Sequence, residues 1–257
     1  MAHTKLRSNT GTDLITRFLE DARKKKENPP SDMELRNIVM NFIIAGRDTT
    51  ACALSWQFMH LLQDDSILSK LKKEVESVTS GNLEDMNHEE AFEKITKKMP
   101  YLNAVAKETL RLHPSVPKNV KFAVKDDVLP DGTKVPAGIA VIWSPYAMGR
   151  NPNIWENPLK YDPMRWFEDG NFDKPKKAST ATYPAFHMMP RLCLGKPLAE
   201  MEIALLTAIL ASRYEFKSVG PISDEFASTL TLPMKNGLVV KASKRGGVGE
   251  TKKSDSK

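Results

Sequence analysis

Cysteine is scarce in this chain. Its 257 residues include only Cys52 and Cys193, so there is no disulfide framework, and a reducing compartment is the natural expectation. A zinc site would need more cysteines than these two. Each thiol must therefore be interpreted by itself, from the residues that surround it.

Long apolar runs are absent too. No stretch reaches the roughly 20 apolar residues that cross a bilayer as a helix. The first 13 residues lack the apolar core of a signal peptide. We therefore expect no membrane span within this chain and, from these residues alone, a cytoplasmic location.

A strong excess of one charge is missing as well. Lysine and arginine number 38 against 32 aspartates and glutamates. The basic residues occur as scattered pairs and one triple, Lys24 to Lys26, without interleaved aromatic side chains. This distribution argues against a nucleic-acid partner. A solvated basic face and a surface for an acidic protein partner both remain open.

What the sequence does contain is helical periodicity. Ser31 and Glu34 have the spacing of a capping box ahead of an apolar series, and no proline follows until Pro100. Residues 32 to about 63 are therefore predicted to form one helix of roughly 45 Å, at about 1.5 Å per residue. Further helices are predicted at 67–79, from Pro100 to Pro114, and from about Pro197 onward.

The β-structure is predicted to be small. Asp131-Gly132 lies between β-prone segments, which indicates a hairpin. Residues 151–190, rich in Pro, Asn, Asp and Lys, are predicted to form an ordered meander. Segments 228–232 and 237–240 are predicted to pair as a terminal hairpin. The predicted fold class is mainly α with small β-sheets, that is, α+β.

The middle of the long helix carries an unusual polar segment, AGRDTT, at residues 45–50. A glycine inside a helix costs about 1 kcal/mol relative to alanine. Threonine hydroxyls can also bond back to a carbonyl one turn earlier. Local inconsistency of this kind is typical of a site that needs room and polarity. A solvated polar face with an accidental glycine is the alternative.

Two other positions carry potential chemistry. Glu108 and Arg111 stand at i and i+3 of a helix, where they can pair, although such pairs are usually exposed and contribute little.

Cys193, near Arg191, sits just before a helix start, where the helix dipole favours an anion. From these residues alone, Cys193 is a metal ligand, a nucleophile or a buried structural cysteine. The five histidines show no spacing that proposes a partner for a nucleophile, and we expect them to be surface or satisfied structural residues. Cys52 is assigned to core packing.

Taken together, AGRDTT, ETLR, PMRW and FHMMPRLCLG, in this order and at these separations, closely resemble the haem-thiolate monooxygenases, the cytochromes P450. The resemblance spans about Thr12 to Ala242 and corresponds to the C-terminal half of that family's fold, with its long central oxygen-binding helix and cysteine haem loop. It implies a partial domain at residues 1–243, followed by a disordered polar tail at 244–257.

The resemblance assigns the cofactor, haem b, to specific residues. It implies that Cys193 is the thiolate ligand of the iron, which favours O–O cleavage in bound oxygen. Arg191 would bind a haem propionate, with Lys121 as a second propionate partner. Phe186, which opens the cysteine segment, is likewise implied to contact the cofactor.

The same resemblance assigns the other motifs. Ala45 and Gly46 would line the oxygen pocket, while Asp48 and Thr49 would deliver protons to the oxygen, the acid through water and the hydroxyl by direct hydrogen bonding. The pair Glu108 and Arg111, joined by Arg165 of PMRW, resembles the family's buried charged triad.

Within the family, the segments AGRDTT, LRLHPSVP, LPDGTKVPAG and SPYAMGR most resemble the fatty-acid ω-hydroxylases. Val116, Pro117 and the segment 230–232 correspond to regions that usually touch the apolar substrate. Because the chain has no glycine-rich nucleotide loop, electrons would come from a separate NADPH-dependent reductase. Family members of this kind lie on the cytosolic face of the endoplasmic reticulum membrane.

The chain also departs from the family pattern. Met189 replaces a glycine in the cysteine segment, where a side chain is expected to weaken haem uptake, and Met164 replaces the usual Glu before Arg165. No counterpart exists for the N-terminal half, which supplies the membrane anchor and the loop over the substrate.

Two alternatives to a monooxygenase therefore stand: a truncated, catalytically silent haem-binding fragment, and a haem-thiolate isomerase or lyase. The Asp48-Thr49 pair argues against the second of these.

Overall fold

The computed structural model describes residues 13–80, 86–227 and 229–245. The chain divides into two compact units, Met1–Asp48 and Thr49–Lys257. The boundary falls within the long helix. The tail predicted at 244–257 lies outside the described residues from 246 onward.

Two helical segments lie in the described part of the first unit. Helix α1 spans Leu14–Lys25, and the Asp13 carboxylate accepts a hydrogen bond from the Thr16 backbone N–H. Helix α2 begins at Asp32 and continues through the boundary to Gln63, close to the range that the sequence predicts. The predicted capping box is present at its start: Ser31 N–H donates to Glu34 Oε2 at 2.8 Å, and Glu34 N–H donates to Ser31 Oγ at 3.3 Å.

The second unit is built mainly of helices. After α2 come α3 (Asp65–Thr79), α4 (His88–Lys97), α5 (Pro100–Leu112), the one-turn α6 (Pro145–Met148) and α7 (Lys196–Arg213). The sequence predicts α3, α5 and α7 to within about two residues at each start and misses α1 and α4. Their shared core contains apolar side chains that are almost completely inaccessible, among them Leu71, Ile95, Met99, Leu102, Val105, Ala204 and Ala208.

Glu74 of α3 ties two of these helices together. Its two carboxylate oxygens accept hydrogen bonds from the backbone N–H groups of Tyr101 and Leu102, both at 2.8 Å. These N–H groups belong to the first turn of α5, where no partner exists within the helix. Burial raises the pKa of Glu74, and the two hydrogen bonds act in the opposite direction.

The strands in the described part of the chain form four two-stranded antiparallel sheets. They pair β1 (Asn119–Phe122) with β4 (Ala140–Trp143), β2 (Asp127–Val128) with β3 (Lys134–Val135), β5 (Phe167–Glu168) with β6 (Asn171–Pro175), and β7 (Tyr214–Ser218) with β8 (Val240–Lys244). Asp131-Gly132 joins β2 to β3, as predicted. The protein is thus helix-rich with small sheets.

The predicted terminal hairpin between 228–232 and 237–240 is wrong. Strand β8 pairs with β7, which directly follows α7. Within the loop between them, Phe226 and Met234 form an isolated bridge. Leu232 is buried instead, and its carbonyl accepts a hydrogen bond from Trp56 Nε1 at 2.7 Å. This tertiary contact overrides the local pairing that turn residues suggest. Ser228 lies outside the described residues.

A stack of buried rings fills the junction of α2 and α5. Trp56 lies on His113 with ring centroids 4.0 Å apart, and His60 lies on Tyr161 at 3.9 Å. His60 Nε2 and His113 Nδ1 are buried without a hydrogen-bond partner among the described residues. The expectation that the histidines are surface or satisfied residues is therefore wrong for these two. Burial, more than neighbouring positive charge, lowers the pKa of His60 to about 3 and that of His113 to about 2.

Replacing His113 with Phe is expected to make the protein less sensitive to acid. Both imidazoles have a folded-state pKa below the ordinary value of 6.5, so the unfolded chain binds more protons below that pH. The free energy of unfolding therefore falls as pH drops, by up to about 1.4 kcal/mol per pH unit for each histidine. Urea unfolding measured between about pH 6 and about pH 5 should show a loss smaller by about 1 kcal/mol in the variant.

The matched control for this prediction is Trp56→Phe, which alters the ring stack without removing a titrating group. It should lower the free energy of unfolding by a similar amount at each pH. An unchanged pH slope in His113→Phe would contradict a neutral buried imidazole.

Candidate functional site

The carboxylate of Glu108 lies at the centre of a buried polar cluster. Glu108 is on α5 and its side chain has no exposed area. Arg111, one turn later, donates from Nε to Oε2 at 2.9 Å and from Nη2 to Oε1 at 2.8 Å. This parallel two-bond geometry is the strongest arrangement for a carboxylate and a guanidinium. Glu108 and Arg111 are therefore completely buried and do not form a weakly stabilising pair on the surface.

Three further donors reach the same carboxylate from the meander. A 3-10 helix, Pro163–Trp166, carries Arg165, whose Nε donates to Oε1 of Glu108 at 2.8 Å. Trp166 Nε1 donates to Oε2 at 3.0 Å, and the backbone N–H of Asp162 donates to Oε1 at 2.8 Å. The structure therefore brings Glu108, Arg111 and Arg165 together.

The guanidinium groups use their remaining donors on backbone carbonyls. Arg111 bonds the carbonyls of Gly149, Pro158 and Lys160, and Arg165 bonds those of Glu156, Asn157 and Lys160. One carboxylate faces two cations, so these carbonyl dipoles help to balance the second positive charge. The meander at 156–166 is thereby fixed to the end of α5.

Gly149 makes the closest approach to this cluster. It follows α6, its carbonyl accepts a hydrogen bond from Arg111 Nη1, and a Cβ built at Gly149 would overlap the carbonyl oxygen of Arg111. The neighbouring Arg150 donates from Nη1 to the carbonyl of Leu112, and its guanidinium lies 3.6 Å from the centre of the Tyr146 ring. A glycine is required here for space.

Cys193 lies in an irregular segment that leads into α7. Its backbone N–H donates to the carbonyl of Phe186 at 2.9 Å, and its own carbonyl accepts from the N–H of Lys196, the first residue of α7, at 3.3 Å. Cys193 is exposed. A side chain at Gly195 would meet the sulfur at 4.0 Å, so the glycine keeps one side of the thiol open.

Phe186 anchors this segment to the helical core. It packs with Tyr183 and Ala185 against a cluster of Ala53 on α2, Leu110 on α5 and Ile203 on α7. The ammonium of Lys196 lies 5.9 Å from the centre of the Phe186 ring. Tyr183 in turn contacts the ring of Trp166 edge-on at 5.1 Å. The cysteine segment is thus linked by packing to the residues around Glu108.

Met189 does not impose the strain that its position suggests. Among the described residues, several non-glycine residues have a positive φ, and Met189 is not one of them. His187, two residues earlier, does have a positive φ, of 65°. The Met189 side chain is 76% exposed. The structure therefore provides no backbone penalty at Met189, and the expected weakening of haem uptake lacks this physical basis.

The AGRDTT segment is helical throughout, and residues 45–48 are exposed. A Cβ at Gly46 would find no atom within 4 Å. Asp48 Oδ1 lies 3.8 Å from the guanidinium of the exposed Arg47. In the second unit, the Thr49 carbonyl accepts a hydrogen bond from Ser115 Oγ at 2.7 Å, and Thr50 Oγ1 donates to Glu202 Oε2 at 3.4 Å.

The remaining predicted cofactor residues, Lys121 on β1 and Arg191 in the cysteine segment, have exposed side chains.

Sequence reasoning missed Trp166 and Gly149 as parts of the Glu108 cluster. Trp166 stands next to Arg165 within PMRW, so the motif itself signals its position. Gly149 has no comparable signal, because only the folded chain brings it against Arg111.

A bare metal ion has no donor set in the described residues, since no three His, Cys, Asp or Glu side chains group together there. A single exposed thiol instead suits a metal that arrives in a macrocycle with its own four nitrogens.

The described helices also include none that is both long and apolar enough to cross a membrane.

These features define a helix-rich protein whose one accessible thiol lies before a helix, beside a buried charge cluster. Residues 1–240 match the family model described as Cytochrome P450. The chain belongs to the cytochrome P450 family, whose cofactor is haem held by a cysteine thiolate.

The chain is similar to several plant proteins. It is 41% identical over 237 residues to Cytochrome P450 86B1 of Arabidopsis thaliana, covering 89% of this chain and 42% of that protein. It is 36% identical over 250 residues to Cytochrome P450 704C1 of Pinus taeda, covering 93% and 48%. It is 31% identical over 236 residues to Alkane hydroxylase MAH1 of Arabidopsis thaliana, covering 91% and 45%. The chain therefore spans about half the length of these curated relatives.

Glu108→Gln is expected to reduce the free energy of unfolding by about 3–5 kcal/mol, because it leaves two guanidiniums in the cluster without a counter-charge. Denaturant titration measures the loss. Glu156→Gln changes an exposed carboxyl in the same meander and should stay within about 0.5 kcal/mol of the wild type. Equal effects of the two substitutions would show that the buried carboxylate is not what holds the meander.

Gly149→Ala and Gly46→Ala should change stability in opposite directions. The methyl group at position 149 has no space, so a loss of about 3 kcal/mol is expected, at the upper end for overpacking. The methyl group at position 46 meets open space inside a helix, where alanine stabilises by up to about 1 kcal/mol. Thermal or denaturant unfolding of both variants checks the pair, and a tolerated Gly149→Ala would contradict the close approach to Arg111.

Proposed function

We propose that this protein is a haem-dependent monooxygenase, in which Cys193 supplies the thiolate ligand and one oxygen atom of O₂ is inserted into an apolar substrate. The observation that carries the proposal is the position of Cys193. Its sulfur is exposed beside Gly195, and the segment around it is held by backbone hydrogen bonds at the start of α7.

Other residues of the chain would hold the cofactor. The guanidinium of Arg191 and the ammonium of Lys121 would pair with haem propionates, and Phe186 would contact the ring system. When bound, haem supplies the iron centre at which oxygen is activated. The buried cluster of Glu108, Arg111 and Arg165 would act at a distance, by fixing the meander that packs beside the cysteine segment.

Proton delivery is assigned to the long helix α2, the proposed oxygen-binding helix. Ala45 and Gly46 would leave space for oxygen, a role supported by the open surroundings of Gly46. Asp48 would exchange protons with water through its exposed carboxylate, and the Thr49 hydroxyl would donate a hydrogen bond toward the oxygen. The bond from Ser115 to the Thr49 carbonyl supports a fixed backbone at this point.

The proposed substrate is a long-chain fatty acid, hydroxylated at or near its ω end. The similarity to a protein named alkane hydroxylase supports an apolar hydrocarbon chain as the class. Val116, Pro117 and the segment 230–232 would touch it.

Electrons would come from a separate NADPH-dependent reductase, and the site of action would be the cytosolic face of the endoplasmic reticulum. Residues 1–243 would form a partial P450 domain, with a polar tail behind it.

A second candidate is a haem-binding protein without catalysis. Because the chain spans about half of the relatives' length, hydroxylation by these 257 residues is part of the proposal and is tested separately from haem binding.

A carbon-monoxide difference spectrum tests the proposal. The chain is reconstituted with haem, reduced and exposed to carbon monoxide, and the wild type should give the absorption shift of thiolate-ligated haem. Cys193→Ala should lose that shift while keeping its far-ultraviolet circular dichroism. The matched control, Cys52→Ala, removes the buried cysteine and should keep the shift.

The outcomes separate the candidates. Absence of the shift in the wild type refutes holoenzyme formation by this chain. A shift without hydroxylation of a long-chain fatty acid, in the presence of reductase and NADPH, supports the silent haem-binding protein. A shift that survives in Cys193→Ala refutes the assigned ligand.

A further inference from the structure

A cavity of about 360 Å³ lies within the second unit, where the end of α2 meets α3, α7 and β7. Its walls include the apolar side chains of Phe58, Leu61, Leu68 and Ala211. Leu61 and Ala211 are almost completely inaccessible to solvent, so this part of the wall belongs to the helical core. The volume lies within the range of roughly 300–1,000 Å³ that is typical of small-molecule sites.

Strand β7 lines the cavity on another side. Phe216 and Ser218 are half-buried, whereas Glu215 and Lys217 are exposed, because successive residues of a strand project to opposite faces. The Phe216 ring contacts the Phe58 ring edge-on, with ring centroids 5.4 Å apart. The inner face of β7 is therefore apolar next to α2 and polar at Ser218.

Lys72 brings a positive charge to these walls. It follows Leu68 by one turn of α3, lines the same cavity and is half-buried. Its ammonium makes no hydrogen bond and no ion pair within 4.0 Å among the described residues. Burial lowers the pKa of Lys72, and the positive charge of Arg245 acts in the same direction, against the smaller effects of Glu215 and Asp65. This ammonium is therefore partly desolvated and lacks a close partner.

Arg245 is a second cation near Lys72. It directly follows β8, and its Nη2 lies 4.0 Å from Oε1 of Glu215. Its Nε is buried without a hydrogen-bond partner among the described residues. Because two incompletely paired cations lie close to each other, an anion at Lys72 would reduce their mutual repulsion.

We propose that this cavity binds a medium-chain carboxylic acid, whose carboxylate pairs with Lys72 and whose hydrocarbon chain lies between α2, α3 and Phe216. At about 30 Å³ per methylene-sized group, the cavity holds roughly twelve non-hydrogen atoms, which is the size of decanoate. A purely apolar ligand would leave the ammonium of Lys72 unpaired. A cationic ligand would add to the charges of Lys72 and Arg245.

This site is separate from the proposed haem site. None of the residues that line the cavity belongs to the cysteine segment or to AGRDTT. The proposal therefore does not depend on the proposed oxygenase function, and it is tested without haem.

Isothermal titration calorimetry of the full 257-residue chain with decanoate, below its micelle concentration, tests the proposal. Decanoate is expected to bind more tightly than decylamine, which has a similar chain and the opposite charge. Lys72→Met removes the charge and keeps an extended side chain, so it should weaken decanoate binding about tenfold, as expected for the loss of a hydrogen bond to a charged group. Leu62→Trp places a larger side chain in the cavity wall and should also weaken binding.

Chemical modification locates the bound acid. Decanoate should slow the acetylation of Lys72 by acetic anhydride, measured by mass spectrometry, because the carboxylate covers the ammonium. Lys73 is exposed and lies outside the residues that line the cavity, so its acetylation should not change. Lys73→Met is the matched control and should bind decanoate like the wild type. Circular dichroism of each variant establishes that the fold persists.

Three results would overturn the proposal. The first is equal affinity of the wild type and Lys72→Met for decanoate. The second is decylamine binding as tightly as decanoate, since the charge of Lys72 would then not select the ligand. The third is equal protection of Lys72 and Lys73 from acetylation, which would indicate that the acid covers apolar surface elsewhere on the chain.

Discussion

The buried carboxylate of Glu108 is the constraint on which much of the second unit depends. A charge without exposed area is tolerated only when partners replace the water that it has lost. Here the replacements come from α5 itself, from the 3-10 helix and from the backbone at Asp162. Because these segments lie up to 58 residues apart in the chain, the requirement to satisfy one carboxylate determines how a long irregular meander folds onto a helix.

The same cluster influences the neighbouring histidines. Burial is the main reason why the pKa values of His60 and His113 are low, and the positive charges of Arg150 and Arg111 act in the same direction. Arg111 therefore stabilises the anion of Glu108 and disfavours an imidazolium nearby. The imidazoles of His60 and His113 are therefore neutral at the junction of α2 and α5. A neutral imidazole is consistent with His60 Nε2 and His113 Nδ1, which have no hydrogen-bond partner among the described residues. An additional proton there would meet the positive charges of Arg150 and Arg111.

Local sequence signals predicted the elements whose stability is mainly local. The Ser31–Glu34 capping box, the proline at the start of α5 and the Asp131-Gly132 turn each act within a few residues, and each is present in the fold. The spacing of Glu108 and Arg111 predicted that they could pair, but their complete burial depends on Arg165 and Trp166, more than 50 residues away. The wrong terminal hairpin has the same cause, because the burial of Leu232 beside Trp56 is not visible in the turn residues. Gly149 could not be predicted at all, since its requirement for space exists only once α6 lies against α5.

Several surfaces of the described residues expose apolar side chains, and the chemistry of the surface around Cys193 indicates the kind of ligand that it suits. Around Cys193 the exposed groups are side chains of an irregular segment, including Met188, Leu192 and Leu194, and its backbone already makes internal hydrogen bonds at Cys193 and Arg191. A flat apolar ligand with its own charged edge can cover such a surface without supplying backbone partners. The cysteine segment is therefore suited to a cofactor.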